Sequence, residues 1–238
     1  MRNPFMSLLL TLVCGAGFDS KPAVAEEHYY VMIFGSESSP KRARYTHTWA
    51  TIVRSTTDDA NPAAPPTLES LTISWMPRNL RIRPLALRPE CGVNLSLQAT
   101  IRDCRCKGEC VAMWGPFDYD PEIGPTLFEK VRRQVARLES GCVLYKCIDP
   151  DTGSGASYIS NCIHAVTDLD PHLPRPSYNE LTNYGMDASR HLMNIMASRN
   201  RFDPQDRHEW VAQALGIDAG VQRRTPQIAP EPVNIASE

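Results

Sequence analysis

The sequence predicts an α+β fold in which an antiparallel sheet is packed by helices. Three β-branched and aromatic runs of strand length lie close together after residue 27: residues 28–34 (HYYVMIF), 45–54 (YTHTWATIVR) and 71–76 (LTISWM). An amphipathic helical pattern follows over residues 125–140, and further helical segments are confined to the C-terminal third. Strands gathered first and helices gathered later are the pattern of an α+β domain.

Residues 1–25 read as a cleavable signal peptide. Arg2 gives the positive start, residues 5–18 (FMSLLLTLVCGAGF) the apolar middle, and Ala23-Val24-Ala25 the small-residue cleavage pattern before Glu26. The apolar run falls short of the roughly 20 residues a bilayer span needs, so no stable membrane insertion is expected after cleavage. The expected location is periplasmic or extracellular. Lipid attachment at Cys14 is the lesser alternative, because Leu12 and Val13 stand where such sites need small residues.

Cleavage leaves residues 26–238, enough for one α+β domain over 26–220, with a tail from 221 too polar and proline-rich to bury a core. The whole chain carries a net charge of −2 and no basic block longer than Lys41-Arg42-Ala43-Arg44, which argues against a nucleic-acid partner.

Within the domain, the first three strands are expected to be antiparallel neighbours. The stretch 56–67, with Asp58, Asp59, Asn61 and three prolines, is a surface loop. In the helix over 125–140 the apolar positions Leu127, Phe128, Val131, Val135 and Leu138 share one face, and Gly141 is placed to end it. A short strand over 142–148 precedes a Gly-rich loop at 152–156. Helices are then expected from Asn161 to Pro171, over 187–198, and from Asp203 as N-cap through Leu215.

Cys91, Cys104, Cys106, Cys110, Cys142, Cys147 and Cys162 survive cleavage. In an oxidising compartment an odd number suggests up to three disulfides and one remaining thiol. The CRCKGEC run at 104–110 lacks the four ligands and the spacing of a structural zinc site, so disulfides are favoured there over metal, and no cofactor is expected. Its spacing also departs from the CxxC of thiol oxidoreductases. Trp75, Trp114 and Tyr145 read as core residues or as the lining of a groove, and Asp118, Asp120 and Glu122 as a solvated turn.

The segment YISNCIHAV at 158–166 carries the candidate chemistry. Asn161 is a good N-cap, which places Cys162 in the first helical turn, where unpaired N–H groups favour a thiolate. His164 lies two residues on and should point elsewhere. The base expected for Cys162 is therefore His47, mid-strand in THTWA, with Ser74 on the following strand as the group that orients the imidazole. The competing reading of both is structural, a buried cysteine and a satisfied core histidine.

Residues 161–166 (NCIHAV) resemble the NCEHF or NCNHF signature of circularly permuted papain-like proteins of the lecithin:retinol acyltransferase and PPPDE types. In those families a strand histidine precedes the cysteine, the order that His47 and Cys162 have. The resemblance implies a papain-like arrangement in permuted order, with Cys162 as nucleophile, His47 as base, and a peptide, lipid or protein acyl substrate in the envelope. It spans about fifteen residues, and Ala165 stands where the family has an aromatic. Residues 114–117 (WGPF), 138–141 (LESG) and 145–146 (YK) also resemble an exported bacterial family, a likeness that assigns no activity. The alternative to a Cys-His hydrolase or acyltransferase is a non-catalytic, disulfide-stabilised exported binding or structural protein.

Overall fold

The structure is a computed structural model that describes residues 26–58, 61, 63–148, 158–169 and 184–227. The signal-peptide reading and the Gly-rich loop lie outside these residues. The fold is α+β, built on a five-stranded sheet in the order β3-β2-β1-β6-β9. Its strands are β1 (Glu27–Glu37), β2 (Thr46–Thr56), β3 (Thr67–Ile73), β6 (Cys110–Asp118) and β9 (Gln222–Arg224). All neighbours are antiparallel except β9, which runs parallel to β6. A smaller sheet, in the order β4-β5-β7-β8, comprises β4 (Trp75–Pro77), β5 (Glu90–Asn94), β7 (Leu144–Tyr145) and β8 (Ile159–Ser160).

β1 and β2 read as continuous apolar runs because helices cover both faces of the central sheet. Tyr29, Val31 and Ile33 of β1, with Ala50 and Ile52 of β2, point into one core. That core is closed by α2 (Gly124–Glu139), α3 (Cys162–Thr167) and α4 (Met186–Ser198), and by Trp75 and Tyr145 of the smaller sheet. Tyr30, Met32, Phe34, Trp49 and Val53 point the other way, under α1 (Leu97–Cys106) and α5 (Glu209–Ala214).

The expected helix at 125–140 is α2, with Pro125 in its first turn. Leu127, Phe128, Val131 and Leu138 are buried, whereas Val135 is only half-buried at the rim of the core. Gly141, at φ +79°, follows its C-cap in a conformation that only glycine adopts readily. Trp75, Trp114 and Tyr145 are core residues.

Several local expectations are corrected. The strand expected over 71–76 breaks at Ser74, where the chain leaves the main sheet for the smaller one. The strand expected over 142–148 shrinks to β7, and the helix expected from Asp203 begins only at Glu209. The tail expected from 221 is ordered at its start: Val221 is buried and β9 pairs with β6, so a polar sequence is held by an edge rather than by a core of its own. Residues 228–238 lie outside the described residues. The helix α1 was legible in principle, since Ser96 caps it by accepting from Ala99 N–H and Leu97, Ile101 and Cys104 recur at helical spacing.

Candidate functional site

The histidine site is built where β2 extends beyond its pairing with β3. Strand alternation places His47 on the same face as Trp49, whose ring stacks on the imidazole at 5.2 Å. His47 Nε2 lies 2.9 Å from Ser74 Oγ, and Ser74 Oγ lies 2.8 Å from Thr100 Oγ1 of α1. Thr100 Oγ1 also lies 2.9 Å from the carbonyl oxygen of Ser96. The Thr100 hydroxyl is thus placed to donate to Ser74 and to that carbonyl, so Ser74 Oγ accepts from Thr100 and shares a second hydrogen bond with His47 Nε2. The other ring nitrogen, Nδ1, is buried without a hydrogen-bond partner among the described residues.

Burial of the ring, reinforced by the Lys107 charge, lowers the His47 pKa from 6.5 to about 3. The imidazole is therefore neutral at physiological pH.

A second polar group adjoins it on the same face. Ser36 is the register partner of His47 across β1 and β2. Its hydroxyl donates to Glu109 Oε2 at 2.6 Å and accepts from Cys104 Sγ at 3.4 Å. Desolvation raises the Glu109 carboxyl, and burial pushes the Cys104 thiol far up, keeping it protonated. Cys104 is thus a buried structural cysteine, not a nucleophile. Ser36 comes from β1, whereas Thr100, Cys104 and Glu109 come from α1 and the turn that follows it, and nothing in their local sequence marks them as neighbours of His47.

Cys162 is placed as the first residue of α3, where Asn161 Oδ1 accepts from His164 N–H at 2.8 Å. Its side chain is half-buried. α3 packs through Ala165 and Val166 against the core that contains Ala50 and Ile52, on the face of the sheet opposite His47 and Trp49. The nearby group there is Tyr145, a buried tyrosine whose pKa is raised by desolvation first and then by Cys162 and Cys147. The structure therefore brings His47 and Ser74 together but not His47 and Cys162. His47 shares the face of β2 that carries Trp49, whereas α3, which begins at Cys162, packs against the core on the other face.

No two of the described cysteines are disulfide-bonded. Cys104 cannot pair with Cys147, which packs against the opposite core. Among the described residues no cluster of histidine, cysteine and carboxylate side chains is arranged to hold a metal ion, and no helix is long and apolar enough to cross a membrane. A cleft of about 470 Å³ opens between Ser70, Thr72, Asn94, Leu95, Val135 and Glu139, and neither His47 nor Cys162 lines it. The chain matches no protein-family model, no curated protein and no solved structure.

Proposed function

We propose that this is an exported, non-catalytic protein of binding or structural type. Export rests on the leader described above. The observation that supports the absence of turnover is the alternation along β2, which sets His47 beside Trp49, away from the helix that begins at Cys162. A papain-like arrangement in permuted order needs the strand imidazole and the helix-start thiol within hydrogen-bonding reach, roughly 3–4 Å. A neutral, fully buried ring engaged by Ser74 through Nε2 and enclosed by α1 supports reading His47 as a core histidine. The open cleft offers a binding surface that neither His47 nor Cys162 lines.

The test is the alkylation of native mature protein by iodoacetamide, read residue by residue by mass spectrometry. Cys162 is expected to react no faster than the exposed thiol Cys142, and His47→Gln is expected to leave that rate unchanged. Cys162 labelling much faster than Cys142, and slowed by His47→Gln, overturns the proposal in favour of a hydrolase or acyltransferase.

A further inference from the structure

The connection between β4 and β5 carries Arg78, Arg81, Arg83 and Arg88 around two leucines, Leu85 and Leu87. Its stem is firmly held. Arg78 N–H donates to the Cys91 carbonyl at 2.8 Å, Lys107 Nζ to the Leu80 carbonyl at 2.6 Å, and Arg81 N–H to Asn79 Oδ1 at 2.9 Å. Ile82 is buried in the core and anchors the near side of the tip. Beyond it the chain turns, with Ala86 N–H donating to the Arg83 carbonyl at 3.1 Å, and the tip stands in solvent: Leu85 is 87 % exposed and Leu87 is 91 % exposed.

A single exposed leucine is ordinary on a protein surface. Two of them on one short tip, each almost wholly uncovered, above a stem this well tied, form a small apolar wedge. The charge around the wedge has one sign. Arg83 is neutralised by Glu90 at 2.7 Å, whereas Arg78, Arg81 and Arg88 are exposed and make no ion pair among the described residues. That local excess of positive charge stands on a chain whose net charge is −2, so it is a property of this loop and not of the whole surface.

We infer that this loop docks the protein on an anionic lipid bilayer, with Leu85 and Leu87 entering the headgroup boundary and Arg78, Arg81 and Arg88 meeting lipid phosphates. An apolar side chain entering a fluid acyl layer needs no shaped pocket, which suits two leucines that touch little of their own protein. A protein partner would instead call for aromatic anchors at the tip, and the tip has none. The contact is peripheral and reversible, because two leucines and three cations amount to a weak anchor.

The experiment is sedimentation of the mature chain with vesicles of phosphatidylcholine and phosphatidylglycerol in a roughly 3:1 mixture, against vesicles of phosphatidylcholine alone. Binding is expected only to the anionic vesicles, and raising the salt from about 0.1 M to about 0.5 M should weaken it. The double variant Leu85→Ser/Leu87→Ser should lose about tenfold or more in partitioning, and Arg81→Gln or Arg88→Gln about fivefold each. Both sets change exposed side chains, so an unchanged unfolding midpoint verifies that the variants are folded. Wild-type protein that stays in the supernatant with anionic vesicles overturns the inference. So does equal sedimentation of wild type and the leucine double variant.

Discussion

Trp49 stacks on His47 with ring centroids 5.2 Å apart and planes 18° from parallel, and its cross-strand partner Phe34 stacks on it at 5.1 Å. These ring contacts hold the imidazole in the α1-side core, with Ser74 as its hydrogen-bonding partner. Stability is therefore tied to keeping the ring neutral. The folded pKa of about 3 lies below the ordinary 6.5, so the unfolded chain binds the extra proton between those values. Urea unfolding should show this contribution intact above pH 6.5 and lost progressively as pH falls toward 3. Its slope should reach at most about 1.4 kcal/mol per pH unit, and His47→Gln should lack it.

Ser74→Ala removes the partner of Nε2 at a fully buried position. The expected cost is about 1–3 kcal/mol, read as a lower urea midpoint at unchanged m-value. No loss would mean that the chain from His47 to the Ser96 carbonyl is not formed.

Glu109 titrates with the opposite sign. Its folded pKa is raised, chiefly by burial, so the stability linked to its protonated form is present below the unfolded value of 4.5 and is lost as pH rises through the folded value. Glu109→Gln keeps an oxygen to accept from Ser36 while removing the buried charge. At pH 7 this variant should be more stable than wild type, and the difference should vanish below pH 4.5.

The thiols should separate by accessibility. Cys91, Cys106, Cys110 and Cys142 are exposed, whereas Cys104 is 2 % exposed and its pKa is pushed far up by burial and by Glu109. Brief treatment of reduced native protein with iodoacetamide should label the first four and spare Cys104 until urea is added. Labelling of Cys104 at the rate of Cys106 would contradict the packing of α1.

Gly92 lies against Trp75: a Cβ at that position would fall 1.9 Å from Cζ2 of the indole. Trp75 is itself 1 % exposed and cannot swing aside. Gly92→Ala should therefore cost about 3 kcal/mol or more, measurable as a large fall in the unfolding midpoint.

Much of the fold was legible in the sequence because its signals are local. The first two strands and α2 follow from the period of their apolar residues over ten or so positions, and α4 from the same spacing. The Asn161 cap and the Gly141 stop follow from backbone chemistry within a few residues. The later strands were less legible. β5 and β7 are short, and β9 is a polar segment fixed only by pairing to β6. The sequence places Ser74 just after the strand that follows that of His47, but their hydrogen bond forms beyond the register of β2 with β3, where the chain leaves the main sheet.

By itself, the sequence determined that His47 and Trp49 share one face of a strand and that Cys162 opens a helix behind Asn161. Only the tertiary structure decided which helix covers which face of the sheet. Side-chain alternation is a property of one short segment, whereas the layer to which α1 or α3 belongs depends on how connections between distant segments pass over the sheet. That choice placed α1 above His47 and α3 beneath the opposite face, and it parted a histidine from a cysteine whose order along the chain suggests partnership.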